Sequence, residues 1–172
     1  MDKTSSEMSN SYEKFKMDLD KFLQACRKLI ILAVGNPILS DDSIGLILGK
    51  RLKKKGFNVF LGFQSPESYF YRILMANPSH VIVVDAADMN LKPGMFSLFS
   101  YEDIASEYAS THNIPLKIMC EMFNKKGIKV ALILIQPKEI ELAKRPSVEI
   151  LRGALEVEKI LTETAKNKGC LV

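Results

Sequence analysis

The sequence predicts an α/β fold of three layers, a mostly parallel sheet of about five strands with helices on both faces. Three observations carry that reading. Short, continuous apolar runs recur along the chain, as expected of strands buried on both faces. Stretches with helical apolar spacing separate them. Strands that alternate with helices need right-handed crossovers, and these lay helices on both sides of one sheet.

The first ten or so residues are rich in Ser, Asn and charge and read as a mobile leader. Tyr12, Phe15, Leu19, Phe22, Leu23 and Cys26 then recur at helical spacing, so residues 1–28 are taken as a leader plus a docking helix. The α/β domain is assigned to residues 29–172. Leu29 to Val34 is an uninterrupted apolar run that stops at Gly35-Asn36-Pro37, a first buried strand. A helix is expected from about Asp42 to Lys54, with Ile44, Ile47, Leu48 and Leu52 inward and Gly56 as its stop. A second strand covers Phe57 to Leu61. After Ser65-Pro66-Glu67, a short helix covers Ser68 to Ala76. Val81 to Val84 is a strongly β-branched third strand ending at Asp85. The turn Lys92-Pro93-Gly94 introduces an additional strand, Gly94 to Phe99, of antiparallel sense. A helix over Pro115 to Lys125, a strand over Lys129 to Ile135 and a long helix from Ser147 to about Lys166 complete the pattern.

Composition narrows the function. The 172 residues are 47% hydrophobic and 26% charged, with a net charge of +4, which suits one soluble domain with a sizeable core. The cationic run Lys50-Arg51 and Lys53-Lys54-Lys55 reads as the solvated side of a helix. No basic stripe interleaved with aromatics occurs, which argues against nucleic acid as a partner. No apolar run approaches the roughly 18 residues of a membrane span. Three cysteines at 26, 120 and 170 form no metal-binding or disulfide pattern. With no signal-peptide core at the N-terminus, they fit a reducing cytoplasm.

Ligands of open α/β sheets bind beyond the carboxyl ends of the strands. Three segments qualify: Gly35 to Asp42 after the first strand, Asp85 to Asp88 after the third, and Ser110-Thr111-His112-Asn113 before the next helix. Convergence would bring Asp42, Asp85 and His112 into one cleft. Two carboxylates and an imidazole suit a borderline divalent metal with open positions, or acid–base work on a bound water. Each also has a plainer role. Asp41 and Asp42 stand at a helix start, where carboxylates accept orphan N–H groups, and Asp41 is expected to be that cap. Asp88 reads as a turn residue and His80 as structural. Neither a nucleophile elbow nor a glycine-rich phosphate loop is present.

Taken together, Gly35-Asn36-Pro37-Ile38-Leu39-Ser40-Asp41-Asp42-Ser43-Ile44-Gly45, Val84-Asp85-Ala86-Ala87-Asp88-Met89, Ser110-Thr111-His112-Asn113-Ile114-Pro115-Leu116 and Gln136-Pro137 resemble the hydrogenase maturation endopeptidases. The resemblance runs from about Leu29 to Leu161. It implies an aspartyl-type endopeptidase that removes the C-terminal extension of a nickel-iron hydrogenase large-subunit precursor after nickel insertion. It also implies that Asp42, Asp85 and His112 contact the metal. The resemblance makes nickel the metal, supplied by the substrate, and zinc or cadmium could occupy the same site. The sequence departs from the family pattern in two places. Ser43 follows the acidic pair, where glycine is frequent. Leu61-Gly62-Phe63 stands where the family usually has an acid followed by two glycines. The second departure keeps open a non-catalytic protein of the same fold that binds a metal-loaded partner. A small-molecule enzyme on this architecture is the third reading.

Overall fold

The computed structural model describes residues 3–103 and 114–171. Helix α1 (Lys3–Phe22) precedes strand β1 (Leu29–Val34). A 3-10 turn, Asp41–Ser43, leads into α2 (Ile44–Lys54), followed by β2 (Asn58–Phe63). A second 3-10 turn, Pro66–Tyr69, runs into α3 (Phe70–Met75) and then β3 (His80–Ala86). Strand β4 (Phe96–Ser100), helix α4 (Ile114–Lys125), β5 (Lys129–Ile135) and α5 (Val148–Asn167) complete the order.

The five strands form one sheet in the order β2-β1-β3-β5-β4. The first four are parallel, and β4 pairs antiparallel with β5. This is the fold class the apolar runs predict, including the antiparallel sense of β4. The alternation of side chains splits the core in two. Ile31, Ala33, Ile82, Val84, Ile133 and Ile135 face α1, α2 and α5. Ile30, Leu32, Val81, Val83, Val130 and Leu132 face α3 and α4. Both faces are therefore covered, which is why these strands read as continuous apolar runs.

Most boundaries shift by one to three residues from the sequence reading, β2 running on to Phe63, and two differ in kind. Helix α1 extends back to Lys3, through the stretch taken for a mobile leader. Ser and Asn cost a helix only a few tenths of a kcal/mol each, and the docked C-terminal half can propagate it. Phe15, Leu19 and Leu23 of this segment are buried in the same core as α2 and α5, and Phe15 meets Phe96 of β4 edge-on at 4.8 Å. At α2 the expected start splits into the 3-10 turn followed by the α-helix proper. His80 is structural as expected. It is buried at the start of β3, its Nδ1 lies 3.0 Å from Ser79 Oγ, and its ring meets Phe22 edge-on. Arg51 of the cationic run pairs with Glu158 of α5, and the lysines around it are exposed. Among the described residues no helix is long and apolar enough to cross a membrane.

Candidate active site

The sheet order fixes where a ligand can sit. Strand β1 lies between β2 and β3, so the chain leaves β1 toward one neighbour and later returns on the other side. That reversal opens a crevice beyond the carboxyl ends of β1 and β3. Asp42 follows β1 and Asp85 ends β3, so both stand at the switch point.

The loop after β1 holds Asp42 by close backbone contacts. Gly35 has φ +143, a conformation open to glycine, and its Cα lies against the Asp42 carbonyl where a Cβ would collide. The Asn36 N–H donates to the Asp42 carbonyl at 3.2 Å and to its Oδ2 at 3.1 Å. Asn36 Oδ1 in turn accepts from the Ile38 N–H at 3.1 Å. Gly45, in the first turn of α2, lies against the carbonyls of Val34, the last residue of β1, and Val84, near the end of β3. Any side chain there would lift α2 off the strand ends and carry Asp42 away from Asp85.

Asp85 is half-buried, and its Oδ1 accepts from the Ala86 N–H at 2.8 Å. Burial pushes its carboxyl up to about 7, against that hydrogen bond, and the negative charge of Asp42 pushes the same way. Burial also raises Asp42, opposed by the Asn36 N–H. Among the described residues no lysine or arginine offsets either shift. Two neighbouring carboxylates without a cation can hold a proton near neutral pH or take up a divalent ion.

Asp41 is not a helix cap. It is fully buried, and it clamps the segment between β5 and α5. Its Oδ2 accepts from the Lys138 N–H at 2.7 Å, the Glu139 N–H at 3.3 Å and Ser147 Oγ at 2.8 Å. Its Oδ1 accepts from the Ser147 N–H at 2.6 Å. Ser40 reinforces the same contact, donating to the Glu139 carbonyl at 3.0 Å and accepting from the Glu141 N–H at 2.9 Å. The sequence could not show this, because the partners lie about a hundred positions away.

Gln136 was read only as part of a motif, with no role of its own. Its Oε1 accepts from the Met89 and Leu91 N–H groups at 2.7 and 3.2 Å, and its Nε2 donates to Asp88 Oδ1 at 3.2 Å. It thus shapes the loop after Asp85. Asp88 also accepts from the Asn90 N–H at 3.0 Å, the turn role expected of it. His112 and the rest of Ser110-Thr111-His112-Asn113 lie outside the described residues. Among the described residues no group of three His, Cys, Asp or Glu side chains could hold a metal ion, and this edge contributes the pair Asp42 and Asp85.

With this geometry in place, comparison with known proteins decides the family. The pattern of the hydrogenase maturation protease family matches residues 61–162. The chain belongs to that family. It is 31% identical over 112 residues to the hydrogenase 3 maturation protease of Escherichia coli K12, covering 63% of this chain and 72% of the relative. The crystal structure of a [NiFe] hydrogenase maturation protease, HycI from Thermococcus kodakarensis, superposes with a TM-score of 0.78 at 28% identity. That match covers 87% of this chain and 99% of the other. The solution structure of the endopeptidase HycI from Escherichia coli gives 0.72 at 28% identity, covering 83% and 94%. The family is one of endopeptidases, and the chain is counted among them.

The two departures from the family pattern now have surroundings. Ser43 is buried and its hydroxyl donates to the Ser40 carbonyl at 2.7 Å, so it serves the turn that presents Asp42. Leu61 packs against the core under α2, 3.3 Å from where a Gly49 Cβ would stand. In place of the missing acid, Leu61 thus makes an apolar contact turned toward α2.

Proposed function

We propose that this chain removes the C-terminal extension of a nickel-iron hydrogenase large-subunit precursor in the cytoplasm, after nickel has been inserted. The observation that carries this reading is the pair Asp42 and Asp85 at the switch point, raised by burial and without a cationic partner among the described residues. Such a pair is short of positive charge, and nickel arriving within the precursor supplies it. The donor set is oxygen, with His112 as the third contact, so it holds nickel loosely and leaves positions for the precursor's own ligands. The three cysteines do not enter the set: Cys26, Cys120 and Cys170 are all buried in the core. Two facts support giving His112 this place. Helix α4 descends to the turn before β5, so it begins toward the carboxyl edge of the sheet. It also covers the face to which Asp85 belongs by alternation with Val81 and Val83.

The chain's own part is positioning. The backbone of the β1–α2 loop fixes Asp42, the Ala86 N–H orients Asp85, and the precursor's metal and scissile segment are held together. Proximity then accounts for selectivity without a separate switch. Until nickel arrives, the raised Asp85 carboxyl can hold a proton in place of the nickel's charge. The test compares nickel-loaded, metal-free and zinc-loaded precursor in one cleavage assay. Nickel-loaded precursor is expected to be cut at least about 100-fold faster than the metal-free form, the scale of a lost orienting contact. Equal cleavage of the metal-free precursor would show that Asp42, Asp85 and His112 act by acid–base chemistry alone.

A further inference from the structure

Phe63, the last residue of β2, combines a backbone conformation that is costly for its type with an aromatic side chain left partly in solvent. Its φ is +52, in the left-handed region, which is costly for a bulky L-residue. The other non-glycine residues there among those described are two alanines and two asparagines, which are small or suited to the conformation. The residue is 42% exposed, so a large apolar area of it stays in solvent. Residues held against local preference cluster where a ligand is gripped.

Its place is the same edge as the two carboxylates. The β1–β2 register slips between Ala33 and Val34, and the slip brings Phe63 opposite Val34. The Phe63 carbonyl accepts from the Gly35 N–H at 3.0 Å, and Gly35 lies against the backbone of Asp42. Phe63 is therefore fixed by one hydrogen bond to the loop that presents Asp42. Ile38, on that loop and 60% exposed, gives a second apolar position at this edge.

We propose that Phe63 is a specificity-determining residue whose ring contacts an apolar side chain of the precursor segment lying across the Asp42–Asp85 edge. This rests on the reading that a precursor binds there. A protein–peptide contact explains why an exposed aromatic ring stands where a glycine would be unstrained. The occupant is apolar because ring and neighbour offer no charge and, at this position, no hydrogen-bonding group.

The test uses the full chain as wild type, Phe63→Gly and Phe63→Leu, with the nickel-loaded large-subunit precursor as probe. Affinity is measured by titration, cleavage kinetics on the same material and thermal midpoint separately. Phe63→Gly is expected to weaken precursor binding about tenfold, with KM rising more than kcat falls, while its thermal midpoint stays at or above wild type. Phe63→Leu keeps part of the apolar contact and should fall between the two. Unchanged affinity of Phe63→Gly overturns the proposal. So does a marked fall in its midpoint, which would make the ring a structural element. So does a wild-type dimer that dissociates in the variant, which would make a second copy the occupant. If wild type binds the precursor through Phe63 without cutting it, the endopeptidase reading fails and the contact stands.

Discussion

Replacing Asp85 with asparagine is expected to stabilise the metal-free protein at pH 8 while removing precursor processing. The folded state lifts the Asp85 carboxyl from its ordinary 3.8 to about 7. A raised value means that the folded protein holds this proton more tightly than the unfolded chain does. The resulting stability is complete below about 3.8 and is lost as pH rises through about 7. Above that, folding must carry a desolvated carboxylate beside Asp42. The gap between 3.8 and about 7 corresponds to about 4 kcal/mol at roughly 1.4 kcal/mol per pH unit. Asparagine has nearly the same shape, never ionises, and keeps the acceptor for the Ala86 N–H. Its melting temperature at pH 8 should exceed that of wild type by roughly 10 °C, at about 2–4 °C per kcal/mol for a chain of this size. The gain should shrink as pH falls toward 4. Processing should drop by at least about 100-fold, because the amide can neither exchange the proton nor balance a cation. Thermal melts across pH, paired with a cleavage assay, check both halves. A gain no larger at pH 8 than at pH 5 would mean that Asp85 is ionised at ordinary cost in the folded protein. Stability given up at a working site in this way is the usual trade between activity and folding.

Much of this was legible in the sequence, and for identifiable reasons. Strands β1, β3 and β5 announce themselves because burial on two faces demands unbroken apolar runs, and β5 occupies the stretch predicted for it, Lys129 to Ile135. The turn at Lys92-Pro93-Gly94 revealed β4, but not its place beyond β5 at the sheet edge, since strand order depends on which crossover goes which way. Asp42 and Asp85 could be chosen because strand ends of an α/β sheet are where ligands bind, a rule that needs only the strand pattern. Asp41 was set apart from Asp42 as a helix cap, but its clamp on the β5–α5 segment could not be read. The contact that defines that role, with Ser147, lies 106 positions away. Gln136 was recognised as part of a motif without a role, because the amides it satisfies at Met89 and Leu91 are distant in sequence. The strain at Phe63 was invisible for a related reason: its left-handed backbone follows from the slip in register against Val34.

The difference between the two aspartates gives the second large effect. Asp41→Ala should destabilise the protein by about 3–5 kcal/mol, far more than loss of a helix cap, which costs about 1 kcal/mol. The carboxylate has no solvent contact, and four donors converge on it: the Lys138, Glu139 and Ser147 N–H groups and the Ser147 hydroxyl. Removal leaves backbone donors of the β5–α5 segment without partners, and Ser147 is the residue that caps α5 through the Ile150 N–H. Asp41→Asn should be nearly as harmful. Both oxygens accept, so an amide nitrogen on either side would face an N–H group. Ser40→Ala, which loses one hydroxyl that donates to Glu139 and accepts from Glu141, should cost only about 1–2 kcal/mol. Processing by the Asp41 variants should fall as well, because the clamp seats the loop that carries Asp42, although Asp41 does not belong to the site itself. Urea unfolding of the three variants, with cleavage measured at a temperature where each is folded, separates these effects. An Asp41→Ala protein as stable as Ser40→Ala would show that the clamp contributes no more than one ordinary hydrogen bond. The expected order puts the structural acid at position 41 among the costliest losses to folding, and the functional acid at position 85 among substitutions that stabilise.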